Sequence, residues 1–225
     1  MPRSNRIASA NYIYHVLNRS NERVPIFEGM GDYAWFESLL AEARQRIPLR
    51  ILSYCLMPNH WHLVLWPRED DQLPKFMDWL TGTHAINWRM HRDNLGNGHV
   101  YQGRYKSFPI QDGSHFFTVC RYVERNALRA NLVHRAENWR WSSLWRRVNG
   151  VDLESLDEWP NQRPDDWVAR VNRSQTLAEL KSLRTCVRRN RPYGELEWQQ
   201  QTAIQLGLES TLQPAGRPHK SPIAS

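Results

Sequence analysis

The sequence predicts an α+β protein with a ferredoxin-like split βαβ core, an antiparallel sheet and a C-terminal helical extension. The segments between residues 12 and 129 alternate as strand, helix, strand, strand, helix, strand and helix. This is the split βαβ order followed by one more helix. Two of the strands are joined by a short turn, as in a hairpin. Hydrophobic residues make up 40% of the 225 positions, enough for a packed core.

The first two elements are predicted by their periodicity. Residues 12–18 alternate in polarity and are rich in β-forming side chains, which predicts a strand. Residues 32–46 carry an apolar stripe at helical spacing, begin at the capping residue Asp32 and stop before Pro48. The chain therefore enters the core through a strand followed by an amphipathic helix.

A hairpin and a second long helix follow. Residues 49–56 and 61–66 are predicted strands, and the turn residues Pro58 and Asn59 lie between them. Residues 73–92 are predicted to form a helix, although their apolar positions are only loosely periodic. The hairpin and this helix complete the central part of the split βαβ order.

The end of the core is predicted as a strand and a helix. Residues 100–110 favour a strand that is interrupted by Gly103, and residues 114–129 favour a helix. In a split βαβ fold, the helix that follows the last strand can lie over the open face of the sheet.

The composition changes after residue 150. Residues 152–166 contain six acidic residues and one arginine, which indicates a surface linker. Two helices are predicted beyond it, a basic one within 170–191 and a shorter one over 195–206. We therefore divide the chain into a first domain, 1–150, and an extension, 151–225, that ends in a basic tail.

The charge favours a nucleic-acid partner. The chain has 30 Lys and Arg against 23 Asp and Glu, a net charge of +7, and most of these cations are arginine. Guanidinium groups bind phosphate bidentately and stack on bases. A basic protein without such a partner remains the alternative, because net charge predicts partners only loosely.

Several classes of protein are disfavoured. No apolar run approaches the roughly 20 residues of a membrane span, and no apolar segment follows the basic N-terminus as in a secretory signal. The three cysteines, Cys55, Cys120 and Cys186, are scattered and in no CxxC spacing. We therefore expect free thiols and a cytoplasmic location rather than a disulfide framework or a thiolate zinc site.

The sharpest local feature is a His-x-His pair at the start of a strand. Residues two apart on a strand point to one face, so His60 and His62 can reach one ion while Trp61 and Leu63 pack on the other face. Two histidines on an exposed strand face also occur by chance, so the pair alone does not establish a metal site.

A tyrosine and an asparagine form a second feature. Tyr122 and Asn126 lie four residues apart on a predicted helix and therefore share a face. Alone, they would be a half-buried tyrosine and a residue at a helix end. If this helix covers the sheet face that carries His60 and His62, a hydroxyl, an amide oxygen and two imidazoles converge. Such a site suits phosphodiester chemistry, because a bound divalent cation neutralises the phosphate for attack by the phenol oxygen.

Three segments resemble a known family. The run 56–64 (LMPNHWHLV), the run 121–127 (RYVERNA) and Trp141-Ser142-Ser143 resemble the single-tyrosine HUH transposases, and among them the REP-associated tyrosine transposases. The resemblance extends over nearly the whole chain and includes the segments 14–16, 26–27, 103–107 and 216–218.

The resemblance implies a role for each residue of the combined motif. His60, His62 and Asn126 would hold Mg²⁺ or Mn²⁺, and Tyr122 would become joined to the 5′ phosphate of cut single-stranded DNA beside an imperfect hairpin. It also implies a bacterial, nucleoid-associated protein, and the long C-terminal extension favours a monomer over a dimer that exchanges tyrosine helices. Ala127 departs from the proline common in relatives, without removing a functional group.

Other residues are candidate DNA contacts. The trio Arg104, Tyr105 and Lys106 has the composition of a backbone clamp, with phosphate contacts from the cations and stacking from the ring. A solvated strand face is the alternative. Further candidates are Arg3 and Arg6 on an N-terminal arm and the cluster Arg188, Arg189 and Arg191.

Two rival functions use the same fold. A non-catalytic protein would bind hairpin DNA or RNA without cutting it. A hydrolase would use the metal to activate water and would leave no DNA attached to the protein.

Overall fold

The sheet has the predicted split βαβ topology. The structure, a computed structural model, describes residues 8–92, 98–152 and 155–213. Four antiparallel strands lie in the order β2-β3-β1-β4. Their bounds are Ile13–Arg19 for β1, Arg50–Met57 for β2, His60–Trp66 for β3 and Lys106–Ile110 for β4. The predicted fold class is therefore confirmed.

Helices cover both faces of the sheet. The bounds are α1 Met30–Arg46, α2 Gln72–His91, α3 Ser114–Glu124, α4 Asn126–Arg129, α5 Ser143–Asn149, α6 Trp167–Asn172, α7 Leu177–Arg189 and α8 Leu196–Leu206. No helix among the described residues is long and apolar enough to cross a membrane.

The first core lies between the sheet and helices α1 and α2. Trp61 and Leu63 are fully buried there, as the strand alternation predicts, against side chains such as Phe36 and Phe76. The same alternation directs His60 and His62 to the opposite face, since residues two apart share a face.

The second core lies on the histidine face of the sheet. Helix α3 packs there through Phe116, Val119 and Val123, all fully buried. Side chains from beyond residue 150, including Trp167 and Leu183, belong to the same core. The C-terminal helices therefore pack against the helix that carries Tyr122, while the domain boundary at residue 150 remains a prediction.

Several element boundaries differ from prediction. Helix α1 begins at Met30 rather than at Asp32, because Gly29 is the capping residue and Asp32 lies in the first turn, where its carboxylate accepts from the Gly29 amide. The last strand begins at Lys106 rather than at residue 100, because residues 100–105 form only an isolated bridge, between Tyr101 and Ser20, just beyond the end of β1. The helix predicted over 114–129 is interrupted at Arg125, and the one predicted within 170–191 is divided into α6 and α7.

The acidic segment contacts the edge of the sheet more closely than a surface linker would. Asp157 accepts a hydrogen bond of 2.8 Å from the Ile51 amide. Trp159 donates one of 2.7 Å to the Leu52 carbonyl, where the pairing of β2 with β3 shifts register. These contacts satisfy backbone groups that a bulge leaves unpaired. The three cysteines are buried and free, as predicted.

A buried histidine on α2 makes stability depend on pH. Nδ1 of His84 and the Tyr101 hydroxyl form a hydrogen bond of 2.8 Å. The same hydroxyl accepts a hydrogen bond from the Trp61 indole. Burial lowers the pKa of His84 to about 3. The unfolded chain therefore binds a proton between about pH 6.5 and 3 that the folded chain does not.

We expect acidification from pH 7 to 5 to lower the free energy of unfolding. Each buried neutral histidine contributes a slope of at most about 1.4 kcal/mol per pH unit. Urea denaturation at several pH values measures the slope, and His84→Gln should reduce it. A stability that stays constant over this pH range would contradict the expectation.

Candidate metal and tyrosine site

A locked hairpin turn presents the first histidine. The Pro58 carbonyl accepts a hydrogen bond of 2.7 Å from the Ile26 amide, and the Asn59 side chain donates one of 3.1 Å to the Arg23 carbonyl. These contacts tie the turn to the loop after β1. The first residue after the turn is His60, so its backbone position is fixed from both sides.

His60 and His62 point to the same face of the sheet, and each imidazole has one ring nitrogen available to bind a cation. Their ring centroids are 5.1 Å apart. Asn59 Oδ1 lies 2.7 Å from Nδ1 of His60, and Nε2 of His15 lies 2.8 Å from Nδ1 of His62. Each contact engages Nδ1, which leaves Nε2 for a cation and fixes the ring orientation.

Both imidazoles are held neutral. Burial, together with the charges of Arg19 and Arg129, lowers the pKa of His60 to about 3. Burial and the neighbouring histidines lower the pKa of His62 well below its ordinary value. A neutral imidazole has the lone pair that a metal ligand needs.

The tyrosine lies against these histidines in the same chain. Tyr122 is in the last turn of α3, and its ring centroid is 5.6 Å from that of His62, with the two planes perpendicular. It is 6.2 Å from the ring of His15. The residue is 6% exposed, and its hydroxyl makes no hydrogen bond to the described part of the chain.

The asparagine completes the arrangement from α4. Asn126 is 2% exposed, and its side chain lies near enough to His60 to raise the pKa of that imidazole against the larger lowering by burial. Its Oδ1 accepts a hydrogen bond of 2.9 Å from Arg129, and its Nδ2 is buried without a partner. The kink at Arg125 therefore leaves Tyr122 and Asn126 on the same side, as their spacing predicts.

These residues fit a divalent cation of the Mg²⁺ or Mn²⁺ type. Two imidazoles and one amide oxygen form an incomplete set that leaves positions for phosphate and water. The amide oxygen of Asn126, which is the atom that would face a cation, accepts a hydrogen bond from Arg129. No group of three His, Cys, Asp or Glu side chains in the described ranges could hold a metal, and Asn126 would add an amide oxygen to the two imidazoles.

The family is decided by comparison with a family model. The model described as "Transposase IS200 like" matches residues 8–126, which include His60, His62, Tyr122 and Asn126. This chain belongs to the IS200-like transposase family. No curated protein matches the transposase.

Two solved structures are similar to the transposase. A REP-associated tyrosine transposase bound to a REP hairpin has 16% sequence identity and a TM-score of 0.50, covering 72% of this chain and 95% of that one. A candidate transposase from Deinococcus radiodurans R1 also has 16% identity, with a TM-score of 0.37, covering 53% of this chain and 87% of that one. The first of these shows that the fold is shared.

A basic pocket lies beside the histidines of the transposase. It has a volume of about 360 Å³, and its lining includes Arg19, Arg104, Lys106, Gln102 and Val187. Arg19 pairs with His60 across the sheet, so the pocket adjoins the candidate metal site. The two cations predicted as a phosphate clamp therefore line one concave surface.

The aromatic ring of the predicted clamp, that of Tyr105, does not line this pocket. Tyr105 is 5% exposed and packs in the first core, so it cannot stack on a base. Strand alternation explains the error, because the residue between two outward-facing cations points inward.

The predicted C-terminal arginine cluster is partly used by the protein itself. Arg189 donates to the carbonyls of Thr211 and Ser210, and Arg191 donates to Gln199. These two side chains hold the last helix in place, whereas Arg188 is exposed. Arg3 and Arg6 lie outside the described residues.

Three residues that contribute to the transposase site were not assigned a role from the sequence. His15 is buried and supports His62. Glu124 and Arg129 flank the tyrosine and asparagine. The segments 14–16 and 121–127 of the family resemblance include His15 and Glu124, and helical spacing places Arg129 three residues after Asn126.

Proposed function

We propose that this chain is a metal-dependent, site-specific single-stranded DNA endonuclease and strand-transferase that forms a 5′-phosphotyrosine intermediate. The observation that carries the proposal is the meeting of Tyr122 with His60, His62 and Asn126 within one chain. Membership of a transposase family supports the same chemistry.

The residues divide the reaction between them. His60, His62 and Asn126 would hold Mg²⁺ or Mn²⁺, which when bound neutralises a non-bridging oxygen of the phosphate. Tyr122 attacks the phosphorus through its phenol oxygen, which joins the 5′ phosphate to the protein and releases a 3′-hydroxyl. The intermediate retains the energy of the broken bond, so a 3′-hydroxyl can later reverse the step without ATP.

The proposed substrate is single-stranded DNA beside a hairpin, in the bacterial cytoplasm. One similar structure is of a protein bound to a REP hairpin. In this chain the pocket formed by Arg19, Arg104 and Lys106 offers phosphate contacts next to the proposed cutting point.

We propose that one chain is sufficient for cutting. Tyr122 packs against His62 and His15 of its own chain, so the site needs no tyrosine helix from a partner. A monomer is therefore the proposed active form.

Denaturing electrophoresis tests the proposed function. The protein is incubated with labelled single-stranded oligonucleotides that carry an imperfect hairpin and randomised flanks. We expect a covalent protein–DNA band with Mn²⁺ or Mg²⁺, its loss with EDTA and its return when metal is restored. Cutting without a covalent band would favour the water-activating hydrolase, and hairpin binding without any cutting would favour the non-catalytic binding protein.

A further inference from the structure

One arginine occupies the centre of the candidate site. Arg129 is the last residue of α4, and its guanidinium carbon lies 4.4 Å from the centroid of the Tyr122 ring. Its Nη2 donates a hydrogen bond of 2.9 Å to Oδ1 of Asn126. The same side chain therefore contacts both the proposed nucleophile and the proposed third metal ligand.

This guanidinium has no anionic partner among the described residues. Its Nη1 is buried and makes no hydrogen bond. By contrast, two arginines that are more deeply buried each face a carboxylate, since Arg146 pairs with Glu37 at 2.8 Å and Arg147 with Glu124 at 3.6 Å. Arg129 is half-buried, and because a buried N–H group without an acceptor costs free energy, the position of its Nη1 indicates that an anion binds there.

The surroundings add positive charge. Arg19 pairs with His60 across the sheet, and Arg129 contacts both Tyr122 and Asn126, so two guanidiniums lie beside the proposed metal ligands. A divalent cation that enters this site is repelled by them. A phosphate removes that repulsion, and a guanidinium binds phosphate oxygens well.

The side-chain amide of Asn126 links the binding of the metal to the binding of DNA. Its only carbonyl oxygen accepts from Arg129 in the free protein, and the same oxygen is the proposed metal ligand. When a phosphate accepts the hydrogen bond of the Arg129 guanidinium in place of Asn126, the amide oxygen becomes free to bind the cation. The metal and the DNA would then each favour the binding of the other.

We propose that Arg129 binds the phosphate that is cut and opposes metal binding until DNA is present, so that the metal and the DNA bind cooperatively. This inference rests on the proposed function of the same site. It assigns a catalytic role to a residue outside the His-x-His, tyrosine and asparagine set, and it explains why an unpaired guanidinium lies among metal ligands.

The first measurement is Mn²⁺ affinity, followed by electron paramagnetic resonance. Arg129→Gln removes the charge, and we expect the free variant to bind Mn²⁺ about tenfold more tightly than the wild type. Arg46→Gln is the matched control, because Arg46 lies on α1 on the opposite face and is 56% exposed; it should leave the affinity unchanged. Thermal melting verifies that each variant is folded.

The second measurement adds a single-stranded hairpin oligonucleotide in the Tyr122→Phe background, which prevents cutting. We expect the oligonucleotide to tighten Mn²⁺ binding about tenfold when Arg129 is present and by less than about threefold in Arg129→Gln. Adduct formation by Arg129→Gln with Tyr122 intact should fall by about 10²–10³-fold despite its tighter metal binding. A merely structural role would not raise the affinity for metal while lowering the rate.

The outcomes separate this inference from the proposed function. If folded Arg129→Gln binds Mn²⁺ no more tightly than the wild type, or if no variant binds Mn²⁺, the inference is wrong even when the wild type forms the covalent adduct. If the wild type forms no adduct, the proposed function fails. Should Arg129→Gln not fold, Arg129→Lys keeps the charge but loses the bidentate fork, and a wild-type rate of adduct formation in that variant would overturn the inference.

Discussion

Phenylalanine at position 122 should abolish covalent attachment to DNA while hairpin binding survives. We expect the rate of adduct formation in Tyr122→Phe to fall by at least about 10³-fold, because the attacking oxygen is gone. Hairpin affinity should stay within about twofold, since the ring still packs against His62 and under Arg129. Denaturing gels measure the first quantity and filter binding or fluorescence anisotropy the second.

The matched control for this substitution is another tyrosine. Tyr12 lies at the far end of β1 from His60, where its hydroxyl contacts Gln205. Tyr12→Phe should form the adduct at the wild-type rate. Persistent cutting by Tyr122→Phe would transfer the nucleophile role to water or to another side chain and would exclude the proposed intermediate.

The second large effect concerns stability. Glu124 is fully buried two residues after the nucleophile, and it accepts hydrogen bonds from Ser143 at 2.6 Å, Trp167 at 2.7 Å and Ser53 at 3.1 Å. It also faces Arg147 at 3.6 Å. We expect Glu124→Ala to lower the free energy of unfolding by about 3–5 kcal/mol, because four buried polar partners lose their acceptor.

Urea denaturation of the wild type and the variant measures this loss. Glu124→Gln should cost less, because its amide oxygen still accepts hydrogen bonds. Glu42 is the exposed control, since its ion pair with Arg46 is about half exposed on both sides; Glu42→Ala should change stability by at most about 0.5 kcal/mol. Equal losses in Glu124→Ala and Glu42→Ala would show that the buried network contributes little.

The local periodicities predicted most of the sheet and the central site. Alternation placed His60 and His62 on one face, and helical spacing placed Tyr122 beside Asn126. Both predictions depend on residues close in sequence, so they needed no knowledge of the tertiary structure. The same rule, applied to residues 104–106, would have placed Tyr105 opposite its cationic neighbours.

Contacts between distant segments were beyond the reach of these patterns. The acceptor for Ser143 is Glu124, and the support for His62 is His15 on a different strand. Asp157 belongs to a segment with the composition of a linker, yet its carboxylate binds the Ile51 amide. In each case the partner is set by how the strands and helices assemble rather than by the nearby sequence.

The aromatic residues that join α3 to the C-terminal half have a consequence for shorter chains. The rings of Phe116 and Phe117 pack on Trp159, and Phe117 also packs on Trp167, with centroids 5.0–6.0 Å apart across the group. A chain cut after residue 150 would expose the apolar side chains on the outer side of helix α3, which carries Tyr122, to solvent. We expect such a fragment to aggregate or to dimerise through this surface, since the C-terminal half covers the apolar outer side of the helix that carries Tyr122.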